Sequence, residues 1–192
     1  RADKTKYAKI TTQNAVISSV KSFNGEVKYK YRLIDAISAK IPAEKIAELA
    51  KSPLIDKIWY DEVYHLPPIT ETNESINLDV STKAIGADYA WNTLGYTGAG
   101  ITVAVLDSGI DYTHPDLGGC FGTGCRVKSG YDFYNEDSNP MDDDGHGTHV
   151  AGIIGANGVI KGVAPGVDFL AVKVCGEEGC PTSLIIAGID WA

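Results

Sequence analysis

The sequence has little methionine (Met141 alone), only four phenylalanines, and no apolar run near the eighteen or so residues that a membrane helix needs. A membrane-spanning helix, and with it a membrane partner, is therefore not expected. Basic residues are scarce in the longer part of the chain: residues 71–192 hold five Lys/Arg against seventeen Asp/Glu, and the net charge is −8. Phosphate backbones call for a basic face, so nucleic acid is excluded as a partner. Glycine is nearly missing from the start, with Gly25 alone before residue 71 and the other twenty after it. The same first seventy residues carry twelve Lys/Arg against eight Asp/Glu. Two segments so unlike in glycine and charge predict two structural units, and their opposite charges would favour docking on each other. At 192 residues, 44% hydrophobic and 22% charged, the chain can fold as one ordinary domain or two small ones. It opens on Arg1 rather than Met, so the want of a signal peptide carries no information.

Only four cysteines are present, as two pairs with four residues inside each: Cys120/Cys125 and Cys175/Cys180. Even number, local spacing and glycine-rich surroundings predict two small disulfide loops in an exported protein. A four-cysteine zinc site is the alternative, but its usual knuckle is the tighter C-x2-C.

The first unit, residues 1–66, reads as small α+β. Residues 11–23 place Ala15, Val16, Ser19, Val20 and Phe23 near helical spacing, and Asn24-Gly25 ends the pattern. "EVKYKYRLI" alternates in the manner of a half-buried strand, and "IDAISAKI" continues as a second. "PAEKIAELAKS" (42–52) has proline at a helix start, and "LIDKIWYDEVYHL" (54–66) returns to extended character. Helix, two strands, helix, strand is a ferredoxin-like order without its first strand. Residues 67–81, polar and proline-led, predict a linker. Residues 82–192 then alternate: "ITVAVLD" as a doubly buried strand, 146–157 as helix, 167–174 as a second buried strand, 182–192 as helix. That alternation predicts an α/β fold with a parallel sheet, here incomplete.

Asp107 stands at the end of the first buried strand, where open α/β sheets gather their ligands and catalytic groups. His146 lies between two glycines at the opening of a helix, with the access a general base needs; such a base also needs a carboxylate to fix its tautomer. His149, one turn on, is expected to be structural. The aspartates before His146 allow three readings: a solvated acidic turn, a calcium site using Asp137, Asn139, Asp142 and Asp144, or a transition-metal site with His146 and His149.

"VAVLDSGIDYTHPDL", "DGHGTHVAGIIG" and "GVAPGVDFLAVKV", collinear over residues 99–192, resemble the aspartate and histidine blocks of the subtilisin-like serine proteases. The first unit, most visibly "AEKIAELAKSPLIDKIWYDEVYHL", is similar to that family's inhibitory propeptide. The resemblance implies that Asp107 orients the imidazole and that His146 is the general base and acid. It further implies polypeptide substrates, a docked propeptide cut off between Leu66 and Leu78, and secretion. Asp116 matches an aspartate ligand of the family's calcium site, although the segment before "GVAP" is about three residues short. The family's "GTSMA" serine block and its oxyanion-hole asparagine are absent, and Ser108 and Ser183 sit elsewhere in its layout. The 192 residues alone are therefore expected to be inactive. A free-standing inhibitor or chaperone module formed by residues 1–66, and a calcium-binding pseudoprotease, are the alternative readings.

Overall fold

The computed structural model describes residues 4–67 and 78–192. The chain separates into two compact units, Arg1–Glu62 and Val63–Ala192.

The first unit begins with helix α1 (Lys4–Ser22). Asn24, at φ 57°, turns the chain into strand β1 (Glu26–Lys30), which pairs antiparallel with β2 (Ile37–Lys40). Val20 is 1% exposed, and buried Gln13 uses its amide nitrogen on the carbonyls of Tyr31, Ile34 and Ala36. That one side chain ties the connection between the strands to α1. Helix α2 (Ala43–Leu49) follows Pro42. The element order through α2 is the expected one. The strand expected over 54–66 shrinks to β3 (Val63–Tyr64), and β3 pairs within the second unit. The preceding Leu54, Ile58, Trp59 and Tyr60 are exposed. An extended segment makes a strand only where a neighbouring edge accepts its hydrogen bonds, and here that happens only at its end.

The expected linker over 67–81, with the expected cut from Leu66 to Leu78, falls largely outside the described residues. Its last residues open helix α3 (Leu78–Ala84), followed by α4 (Ala87–Asn92).

A parallel three-stranded sheet forms the second unit's centre, in the order β4 (Thr102–Asp107), β6 (Asp168–Lys173), β5 (Val127–Asp132). Helix α5 (His146–Gly155) packs on β4, as does α6 (Thr182–Trp191); the short β7 (Cys180–Pro181) leads into α6. Val105, Ile110, Leu117, Val127, Ala151, Val167, Phe169 and Ala171 make one buried core. The continuous apolar runs "VAVL" and "FLAV" are the strands covered on both faces. Strand register sets Asp107 opposite Lys173, so both charged residues arrive together at the carboxyl end of the sheet. Cys120 is joined to Cys125 and Cys175 to Cys180, and no free cysteine remains.

Candidate active site

The carboxyl end of β4 delivers Asp107, 7% exposed, to the mouth of the sheet. Its Oδ1 accepts the Ser108 N–H at 2.8 Å and lies 2.8 Å from His146 Nδ1. An ionised carboxylate has no proton to give, so Nδ1–H donates and Nε2 is left as the ring's acceptor. The Asp107 carbonyl accepts from Val174 N–H at 2.9 Å and Cys175 N–H at 3.2 Å, which fixes the end of β4 to the exit of β6.

Glycine sets the histidine's position. A Cβ on Gly147 would sit 2.1 Å from the Gly109 carbonyl oxygen and 3.1 Å from Asp107 Cβ. Only a residue without a side chain lets the first turn of α5 come this close to the loop after β4. Gly147 N–H also donates to Ser108 Oγ at 2.9 Å, and Ser108 Oγ donates to Asp142 Oδ1 at 2.8 Å. Ser108 is thereby committed to holding the loop, which excludes it as a nucleophile in this arrangement.

The three aspartates before the helix have three different tasks. Asp142 Oδ1 also accepts from the backbone N–H of Asp144 (3.1 Å) and Gly145 (2.9 Å), and Oδ2 from Thr148 N–H (2.8 Å) and Thr148 Oγ–H. Burial pushes its carboxyl up, yet the bonds from Thr148 and the backbone donors outweigh that and hold it below the ordinary value. Asp143 pairs with the ammonium of Lys173, which is 1% exposed and also donates to the Ser108 carbonyl at 2.7 Å. Asp144 Oδ1 accepts the His146 N–H at 3.2 Å, supporting the N-terminus of α5.

The residues expected to bind calcium are thus engaged with the protein. Asp137 Oδ1 accepts the Asn139 N–H at 2.8 Å, and Asn139 Oδ1 accepts from the Tyr112 hydroxyl at 2.6 Å. Asp142, with five donors on two oxygens, has no lone pair directed at a cation. Among the described residues no three His, Cys, Asp or Glu side chains stand together where they could hold a metal ion. As placed, the cluster does not fit calcium. Asp116 lies elsewhere: with His114, Leu117, His149, Ile153 and Ile160 it lines a cavity of about 320 Å³ behind α5.

Two cationic side chains escaped the sequence reading. Lys173 holds the site from below. Arg126 gathers the carbonyls of Asp116 (2.9 Å), Gly155 (2.6 Å) and Val167 (2.9 Å) beneath the far end of α5, its guanidinium 5.5 Å from the Phe169 ring centre. Burial pulls Arg126 below its ordinary value, partly offset by Asp168. A lone charge inside an apolar strand run, as in "LAVKV", is the signal that would have found Lys173, because such a charge needs a partner.

The second unit is thus an α/β domain with a carboxylate–imidazole pair at the carboxyl end of its parallel sheet. Residues 98–192 match the model of the Subtilase family, and residues 2–67 match that of Peptidase inhibitor I9. The chain belongs to the subtilase family. It is similar to the Minor extracellular protease Vpr of Bacillus subtilis (strain 168), 38% identical over 98% of this chain and 25% of the relative. Subtilisin E of the same strain is 37% identical over 88% of this chain and 41% of its own length. Alkaline serine exoprotease A of Vibrio alginolyticus is 36% identical over 82% of this chain and 29% of its own. The chain spans between a quarter and about two fifths of the length of these relatives.

Proposed function

We propose that this chain is the propeptide and base-bearing portion of an exported serine endopeptidase precursor, acting on polypeptides by acyl transfer. The observation that carries the reading is the 2.8 Å bond from His146 Nδ1 to Asp107 Oδ1 at the end of β4. That bond fixes the tautomer, so Nε2 can take the proton of an attacking serine hydroxyl and pass it to the leaving amine. Asp107 keeps its own proton state and stabilises the imidazolium formed in between. The serine and the oxyanion donors would come from sequence outside these 192 residues, in keeping with the greater length of the relatives.

Residues 1–66 would act as the inhibitory propeptide, supported by the Peptidase inhibitor I9 match over residues 2–67. The pairing of Val63 with Pro181 and Tyr64 with Cys180 supports a tail that holds a substrate's place on the β7 edge until it is cut. Two local disulfides suit an oxidising compartment, and the relatives include one named as extracellular. A calcium step is no part of the proposed mechanism, since both oxygens of Asp142 accept from protein donors.

The test is expression of the full-length precursor. It should process itself within 66–78 and hydrolyse casein, with both activities blocked by phenylmethylsulfonyl fluoride and lost in His146→Ala. The 192-residue chain alone should do neither. Full activity in His146→Ala would refute the reading.

A further inference from the structure

We infer that the disulfide-closed hairpin of residues 175–180 is the positioning element of the strand edge that receives an extended polypeptide, an inference that rests on the function proposed above. Strand β7 is two residues long. One of them is Pro181, which has no N–H to give to a ladder. So short an edge, with so few donors, does not hold its own geometry. Yet it carries the register Val63↔Pro181 and Tyr64↔Cys180.

What fixes it lies on the other side of the turn. Gly176 and Gly179 exchange hydrogen bonds of 3.1 and 2.9 Å, closing a turn over Glu177 and Glu178. The Cys175–Cys180 bond closes the same turn through side chains, with both residues 3% exposed. Tyr134 braces it from outside. A Cβ on Gly176 would sit 2.3 Å from Tyr134 Cε1, and the Tyr134 hydroxyl accepts Glu178 N–H at 3.2 Å. At its root, Cys175 N–H donates to the carbonyl of Asp107 itself. A single covalent link thus runs from the residue hydrogen-bonded to the catalytic pair's backbone to the residue that pairs with the incoming strand. The other disulfide, Cys120–Cys125, makes no such link and serves as the control.

The consequence is selective. Without the staple the edge becomes mobile while the Asp107–His146 pair stays in place, so extended peptides lose affinity and short esters are still turned over. The measurement is amide hydrogen exchange of the 192-residue chain, wild type against C175S/C180S and C120S/C125S. The account expects exchange at residues 63–66 to accelerate about tenfold or more in C175S/C180S, with β4 and β6 unchanged and C120S/C125S like wild type. Unchanged exchange at 63–66 would overturn it. So would an equal acceleration throughout the sheet, which is the mark of a merely structural bond.

Should C175S/C180S fail to fold, the folded C120S/C125S variant can be reduced by a water-soluble phosphine. The Cys175–Cys180 bond then becomes two thiols and the phosphine its oxide, with oxygen from water; the same two exchange outcomes decide. In the processed full-length enzyme, C175S/C180S should raise KM for a six-residue peptide about tenfold, and by more than it raises KM for a short ester. A wild-type enzyme without hydrolytic activity would sink the proposed function, while the exchange result would still decide the role of the staple.

Discussion

Three consecutive carboxylates, Asp142, Asp143 and Asp144, differ in nothing the sequence shows, yet the fold gives them unrelated tasks. Asp142 accepts from five donors, Asp143 neutralises a buried ammonium, and Asp144 caps the histidine's own backbone N–H. Removing the most heavily bonded one leaves several inward-facing donors without a partner. Asp142→Ala should therefore cost about 3 kcal/mol of unfolding free energy, against under 1 kcal/mol for an exposed carboxylate, read by urea denaturation. The same residue gives a pH signature. Its folded-state carboxyl is held below the ordinary value of 3.8, so its contribution is complete above 3.8 and fades as the pH falls through the lower folded value. Wild type and Asp142→Asn should converge in stability under acid and separate at neutral pH. Gly147 is the other decisive residue, because a methyl there meets the backbone carbonyl of Gly109. Gly147→Ala should destabilise by about 2 kcal/mol and reduce kcat of the full-length enzyme by pushing His146 off Asp107.

At the scale of elements, what the sequence reveals depends on how burial is divided. β4 and β6 are covered on both faces, so they appear as unbroken apolar runs and their positions can be read directly. β5, on the outer side of β6, is written "VKSGYD", and Lys128, Ser129 and Gly130 hide it. Gly130 is there for contact: a Cβ would meet the Ala171 carbonyl oxygen at 2.3 Å. The opening of α5 at His146 was legible from its glycine and aspartate punctuation, whereas the division of labour among the aspartates was not, since it depends on which N–H groups the turn aims at each oxygen. The extended character of 54–66 becomes a strand only at its end, because a strand needs an edge to pair with and only Val63–Tyr64 find one. Phe169, at 0% exposure between β4 and β5 in the sheet, is the element-scale test. Phe169→Ala should cost about 3–5 kcal/mol through lost burial and an unfilled cavity, measured by the denaturation midpoint.

For the whole molecule, the contrast between a basic, glycine-poor start and an acidic, glycine-rich remainder corresponds to two compact units with separate family matches. The proposed precursor needs that division, because one part must leave once the other is built. Everything catalytic in the account rests on one hydrogen bond between the end of a strand and the start of a helix. The most direct test replaces Asp107 by asparagine in the processed full-length enzyme, keeping size and hydrogen bonding while removing the charge that orients and stabilises the histidine. The account predicts that kcat on a peptide substrate falls by about 10⁴ while KM stays within about threefold. A variant within tenfold of wild type in kcat would contradict it.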